Sequence, residues 1–356
     1  TSEQTAADLR FRTKFETGAI SHEVMLGGQY QDVTTDESSS YAYAIGYSFA
    51  TAGPDDIFGD AYWINPFNPT YGAVPPQALI DSIRNDSPEV NVKDLGLYIN
   101  DQMTFGNWHW NIGLRRDDVT NESGQSKQDD SATSIASGLL YAFENGLSPY
   151  VSYAESFEPV VGIDAVTQQA FKSQEGEQVE VGIKYSFASS PSYVTLAYFD
   201  IEQSNLLTST PVGQIQIGGI DTVSGVEFEG KFVFGDFKLE ANASKLDTQT
   251  DAGFQFPSVP EVNASLWLGY GDRAENGFRA GFGARYAGES FGGNDEIETP
   301  SYALVDAMLA YKMDSWAFRL NARNLADKEY QSTCLSRQDC FQGERRTVVG
   351  TVAYSF

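Results

Sequence analysis

Apolar residues occupy every second position in the segment EQVEVGIKYSF. Val179, Val181, Ile183, Tyr185 and Phe187 fall on one face, and Gln178, Glu180, Gly182, Lys184 and Ser186 on the other. Side chains alternate sides along an extended chain, so this pattern predicts a strand with one greasy and one polar surface. The same reading holds for WHWNIGLR, where Trp108, Trp110, Ile112 and Leu114 oppose His109, Asn111, Gly113 and Arg115. It holds again for FRAGFGARY, with Phe278, Ala280, Phe282, Ala284 and Tyr286 against Arg279, Gly281, Gly283 and Arg285. Helical spacing fits none of the three.

Extended to the whole chain, strand and turn signals predict about fifteen strands, at 8–16, 21–34, 93–105, 108–120, 131–142, 148–157, 177–187, 192–208, 216–234, 237–247, 262–271, 278–286, 301–311, 317–324 and 347–356. Their connections alternate in length. Short turns such as FGN (105–107), ENG (144–146) and FGD (234–236) take turns with longer links at 35–92, 121–130, 158–176, 248–261, 287–300 and 325–346. One trimmed rim and one elaborated rim are the pattern of an antiparallel transmembrane β-barrel with short periplasmic turns and long external loops. A β-propeller or sandwich would need a repeat or Greek-key crossovers, and the chain shows no internal repeat.

Composition refines this picture. No run of 18 uninterrupted apolar residues occurs, which rules out a transmembrane helix in this sequence but leaves strands open, because a spanning strand hides only alternate residues in lipid. The 49 acidic against 23 basic residues, a formal charge of −26, belong in loops and lumen where water reaches them, and they argue against a nucleic-acid partner. The two histidines, His22 and His109, both fall in strands far apart in sequence. They offer neither a metal-ligand pattern nor a nucleophile–base arrangement, so no catalytic and no metal site is expected. The last strand, TVVGTVAYSF, places Val348, Gly350, Val352, Tyr354 and Phe356 outward and ends on an aromatic, as bacterial outer-membrane barrels commonly do.

Six motifs then carry a family resemblance: GLYINDQ (96–102), YVSYAESFEP (150–159), EGEQVEVGIKY (175–185), SGVEFEGK (224–231), NLADKEY (324–330), and the paired cysteines ahead of GERRTVVGTVAYSF (343–356). In this order they resemble the C-terminal part of the barrel of TonB-dependent outer-membrane siderophore receptors, of the ferrichrome or hydroxamate type. The resemblance implies a 22-stranded barrel filled by an N-terminal plug, a ferric siderophore as cargo with no cofactor, energy coupling through the TonB complex by way of the N-terminal region, and a place in the outer-membrane lipid of a bacterium. Residues 1–356 are then expected to be a barrel portion, strands eight to twenty-two, without the plug, forming a sheet with unpaired first and last strands. A passive porin-like channel is the alternative, as is a related receptor for a catecholate siderophore, haem or cobalamin.

Particular residues follow. Cys334 and Cys340 are the only cysteines and lie in link 325–346, which strand parity places outside the cell. An oxidising compartment lets a disulfide persist there, with Cα atoms expected about 4.4–6.8 Å apart. Glu180 and Glu227 face the lumen by alternation, and the resemblance implies that they pair with plug arginines. Arg115, Arg279, Arg285, Arg319 and Arg323 share the inward face and can pair with neighbouring acids. A compact, mostly uncharged hydroxamate complex is met with aromatic area. The resemblance therefore makes Tyr41, Tyr43, Tyr62, Trp63, Phe67 and Tyr71 of link 35–92 ligand candidates, together with Phe341 after the second cysteine.

Overall fold

The computed structural model describes residues 1–40, 69, 77–82, 84–86, 88–124, 126–160, 162–169, 171–210, 213–271, 276–335 and 339–356. The chain begins with β1 (Ser2–Thr17) and β2 (Ile20–Thr35), followed by β3 (Ser38–Ser40), the short helix α1 (Gln77–Ser82) and β4 (Arg84–Asp86). Next come β5 (Val90–Phe105), β6 (Trp108–Ser123), β7 (Ser126–Tyr141), β8 (Leu147–Glu158), β9 (Gln174–Ser186) and β10 (Tyr193–Ser204). A small hairpin of β11 (Leu207–Thr210) and β12 (Gly213–Gln216) precedes β13 (Ile220–Phe234), β14 (Phe237–Gln249), β15 (Val262–Tyr270) and β16 (Gly277–Ala287). A second hairpin, β17 (Ser290–Gly292) with β18 (Ile297–Thr299), leads to β19 (Tyr302–Met313) and β20 (Trp316–Arg323). The third, β21 (Gln331–Cys334) with β22 (Cys340–Gln342), leads to β23 (Thr347–Tyr354).

Fifteen strands form one sheet in the order β1-β2-β5-β6-β7-β8-β9-β10-β13-β14-β15-β16-β19-β20-β23, and the short strands pair among themselves. The fifteen expected strands are therefore present. β1 and β23 stand at the two ends of the order, with fifteen of sixteen and seven of eight residues exposed. Two compact units can be told apart: Thr1–Asp8, Gln29–Leu95 and Asp118–Asp130 in one, and Leu9–Gly28, Gly96–Asp117 and Ser131–Phe356 in the other. The second holds His22, the polar-face cavity and the braced external segments described below.

Several boundaries differ from expectation, among them the start of β1, at Ser2 rather than at 8. Link 121–130 is almost absent, because β6 runs to Ser123 and β7 starts at Ser126. Both strands have 16 residues, longer than the roughly 10 that a tilted strand needs to cross a bilayer. Beyond the lipid both faces of a strand meet water, so the alternation that marks a strand fades while the hydrogen-bonded ladder continues. The strand expected at 192–208 ends at Ser204, and the one at 216–234 starts at Ile220, because the β11–β12 hairpin occupies the link between them.

The outward face is apolar as the alternation requires: Trp108, Trp110, Leu114, Val179, Val181, Ile183, Phe278 and Phe282 are all exposed. Aromatic rings gather at the short-turn rim. Trp108 meets Tyr141 at 4.7 Å, Phe237 meets Tyr270 at 5.1 Å, and Trp316 meets Tyr354 at 4.8 Å between centroids. Tyrosine and tryptophan rings of this kind mark the level of the lipid headgroups. The turns themselves are tight. Gly106 and Gly235 adopt φ of 56° and 60°, the left-handed backbone that two-residue hairpin turns favour and that glycine enters without steric cost. His22 lies on the apolar face near this rim, its ring 4.9 Å from Phe15, with Nε2 2.6 Å from Thr17 Oγ1 and Nδ1 2.7 Å from Asp101 Oδ2. It ties the β1–β2 hairpin to β5.

Candidate functional site

The polar face of the sheet carries a cavity of about 580 Å³, lined among others by Tyr150, Glu180, Glu227, Glu229, Arg285 and Tyr302. Strand order puts β10 between β9 and β13, so Glu180 and Glu227 belong to next-but-one neighbours, as the sequence implied. Glu180 stands opposite Phe199, and Glu227 opposite Ala197, whose small side chain leaves space above it.

Local sequence sets this geometry. Tyr150 is directly opposite Gly182, where a Cβ atom would come within 2.7 Å of the tyrosine ring. Glycine therefore lets the ring lie down on the sheet, and its hydroxyl donates to Glu180 Oε1 at 2.6 Å. Gln178 Nε2 also donates to Glu180, at 3.3 Å, and Lys184 Nζ sits 4.9 Å above the Tyr150 ring. Among the described residues no ion pair reaches Glu180 or Glu227. Three of the five inward arginines go to other acids: Arg115 to Asp117 at 2.6 Å, Arg285 to Asp306 at 2.7 Å, and Arg323 to Glu344 at 3.8 Å. The cavity thus gathers the carboxylates Glu180, Glu227 and Glu229 beside Arg285, and Glu180 takes its hydrogen bonds from neutral side chains.

The other rim is built from interlocked external segments. Cys334 and Cys340 are opposed in the β21–β22 hairpin and joined by a disulfide, with Cα atoms 4.0 Å apart, slightly closer than expected. Cys334 is fully buried, and its N–H donates to Thr299 Oγ1 of β18 at 2.8 Å. Thr333 Oγ1 donates to Ser258 Oγ at 2.6 Å, and Ser258 N–H to Phe291 O of β17 at 2.7 Å. Three external segments are thereby fastened together, and Phe341 stands exposed on them. Closing a loop this short contributes about 2 kcal/mol in the chain-entropy model. Reduction is therefore expected to speed amide exchange at Cys334 and Leu335 while leaving the main sheet protected, and hydrogen-exchange mass spectrometry with and without reductant checks this.

A second external latch was not visible in the sequence. Asp164 accepts from Val166 N–H at 2.9 Å and Thr167 N–H at 2.7 Å within its own loop, and from Gln216 N–H at 2.8 Å in the β11–β12 hairpin. The Gln216 side chain returns the contact by donating to Lys172 O at 2.7 Å and Asn205 O at 2.8 Å. Those amides, led by Thr167 and then Gln216, hold the Asp164 carboxyl down at about 2. A depressed carboxylate stabilises its loop at every pH above the ordinary aspartate value, and that contribution is lost as pH falls toward 2. Protection of the Val166, Thr167 and Gln216 amides, taken relative to the intrinsic exchange rate at each pH, should accordingly stay high from pH 7 to about pH 4 and fall below it. Asp164→Asn should show the fast behaviour already at neutral pH, and a pH-independent wild type would overturn the latch. The sequence signal was an aspartate heading a turn, which names a local cap and not its remote partner.

Asn324, at the head of NLADKEY, is the third hub. It is 1% exposed, and its side chain donates to Lys328 O at 2.8 Å and Glu344 O at 3.0 Å while accepting from Lys328 N–H at 2.8 Å. The loop beyond is braced by Arg345, which pairs with Asp327 at 2.9 Å and Glu329 at 2.5 Å. Arg345 and the Arg346 amide keep the Asp327 carboxyl well below the usual carboxylate range. The candidates Tyr41, Tyr43, Tyr62, Trp63, Phe67 and Tyr71 lie outside the described residues.

An antiparallel sheet with an apolar outer face, aromatic rings at its short-turn rim, an acidic inner wall and braced external segments defines an outer-membrane receptor barrel. The chain belongs to the TonB-dependent receptor family, matching "TonB dependent receptor-like, beta-barrel" over residues 2–325. It is 29% identical to the ferrioxamine receptor of Yersinia enterocolitica, over 99% of this chain and 50% of that protein. It is 30% identical to the ferrichrome outer membrane transporter/phage receptor of Escherichia coli K12, over 99% of this chain and 48% of that protein. The crystal structure of the siderophore receptor PiuA from Acinetobacter baumannii superposes with a TM-score of 0.80 at 23% identity, covering 99% of this chain and 56% of that one. The chain spans about half the length of the curated relatives it matches. Its place is the bacterial outer membrane, and these relatives are transport receptors.

Proposed function

We propose that this chain is the barrel portion of a longer receptor that takes up a ferric hydroxamate siderophore, energised by the TonB complex through an N-terminal region. The observation that carries this reading is the near-complete coverage of the chain, at 29–30% identity, by receptors for ferrioxamine and ferrichrome. The braced external rim is consistent with it, since a preorganised mouth binds cargo at lower entropic cost than loops that must first order. Phe341 and the aromatics of link 35–92 supply contact area for a compact uncharged complex. The carboxylates Glu180 and Glu227 serve to hold a plug, by receiving its cationic side chains on the inner wall.

Binding to the purified full-length protein, followed by quenching of tryptophan fluorescence, tests the cargo class. Ferric ferrioxamine or ferrichrome is expected to quench saturably at micromolar concentration or below. Saturable binding of a ferric catecholate, haem or cobalamin, with no response to either hydroxamate, would overturn the assignment.

A further inference from the structure

The fold brings Asp101 to a histidine and a threonine that flank the β1–β2 turn. His22 Nε2 lies 2.6 Å from Thr17 Oγ1, and Nδ1 lies 2.7 Å from Asp101 Oδ2. Thr17 ends β1, His22 lies near the start of β2 and Asp101 in the second half of β5, the neighbour of β2 in the sheet. By alternation all three share the outward face with Phe15, Leu26, Ile99 and Phe105, which are exposed.

Hydroxyl, imidazole and carboxylate thus stand in series. An ionised carboxylate only accepts, so Asp101 fixes the imidazole proton on Nδ1 and leaves the Nε2 lone pair to accept from the Thr17 hydroxyl. Nucleophile, base and the group that orients the base are joined in this order in acyl transfer by an activated hydroxyl. Two observations set the trio apart from a structural clip. Asp101 Oδ1 is buried with no hydrogen-bond partner among the described residues, which a clip gains nothing by leaving so, whereas an imidazolium formed at His22 offsets its charge. The other histidine shows the plain case: His109 Nδ1 is 3.4 Å from Thr104 Oγ1, and among the described residues no carboxylate meets its ring.

We propose that Thr17, His22 and Asp101 form an acyl-transfer site that hydrolyses a fatty-acyl ester of a glycerophospholipid. The site lies at the short-turn rim, where the Trp108–Tyr141 rings mark the headgroups, and the ester carbonyls of the lipid sit at that boundary with water in reach. Thr17 Oγ1 bonds to the ester carbonyl carbon while its proton passes to His22 Nε2. The bond from that carbon to the glycerol oxygen then breaks, and His22 returns the proton to this oxygen as the lysophospholipid leaves. Water attacks the acyl-threonine in the same way, so fatty acid departs and the Thr17 hydroxyl is restored. The turn residues Gly18 and Ala19 carry N–H groups that meet no acceptor among the described residues, and these are the donors for the oxygen that gains charge in each attack. The site is on the opposite face of the sheet from Glu180 and Glu227 and is independent of the cargo.

The test uses the purified full-length protein in mixed micelles of detergent and phosphatidylethanolamine with radiolabelled acyl chains, and a fluorophosphonate probe whose adduct is located by mass spectrometry. Wild type is expected to release fatty acid in proportion to time and protein, and to carry the probe on Thr17. Thr17→Val and His22→Ala should lower release about a hundredfold or more, while Thr17→Ser, which keeps the hydroxyl, retains it. Asp101→Asn should lower kcat and leave KM unchanged, because the carboxylate acts through His22 and does not hold the lipid. Thr104→Val, at the other threonine–histidine pair, should change nothing, and urea unfolding in detergent confirms that each variant is folded. No release and no adduct from wild type, or a probe adduct elsewhere than Thr17, would overturn the proposal. So would release that Thr17→Val leaves intact, which would trace it to a copurified lipase.

Discussion

Replacing Asn324 with alanine is expected to destabilise the protein by about 3 kcal/mol, among the largest effects of any single change outside the membrane-facing surface. The asparagine is almost fully buried and satisfies two backbone carbonyls and one amide that sit on both sides of the long β20–β23 connection. Alanine strands all three, and each unsatisfied buried group costs about 1–3 kcal/mol before water enters. Asn324 also has φ of 46°, a left-handed conformation that asparagine tolerates better than alanine. Urea unfolding in detergent would read the loss, with Asn324→Asp as a partial control because it keeps the acceptor for Lys328 N–H. A loss within the ~0.5 kcal/mol of an ordinary surface substitution would show that the hub does not hold the loop.

The second large effect concerns the inner wall. In the full-length receptor, the double change Glu180→Gln and Glu227→Gln is expected to weaken plug retention by about tenfold for each carboxylate, since a charge-assisted hydrogen bond contributes roughly 1.5 kcal/mol more than its neutral replacement. Both residues line the same cavity, and among the described residues no ion pair reaches either. Glutamine preserves shape and the bond from Tyr150 while removing the charge. Susceptibility of the plug to protease, measured against urea concentration, reports its retention. An unchanged profile would mean that these acids only face water, and the pairing would fall.

Lipid is a strict selector, and that is why so much of the fold was legible. Where β9 crosses the bilayer, Val179, Val181 and Ile183 must face outward, so the alternation of 177–187 named both the strand and the lumenal position of Glu180. Where strands rise into water the selector vanishes, and the sequence of 121–130 looked like a loop although β6 and β7 continue through most of it. The disulfide was readable because two cysteines in one external link leave a single pairing. Asp164 with Gln216, and Thr333 with Ser258, were not readable, because each joins loops far apart in sequence through polar residues that are common in any loop. Asn324 lay inside a recognised motif, yet only the fold shows that its work is to close the loop between Lys328 and Glu344.

Uptake of radioactive iron decides the central claim. The full-length protein would be expressed in cells stripped of their own hydroxamate receptors and supplied with ferric ferrioxamine or ferrichrome at limiting concentration. Saturable accumulation that disappears when the TonB complex is deleted is the expected result. Accumulation that rises linearly with concentration and survives that deletion would identify a passive channel and contradict it.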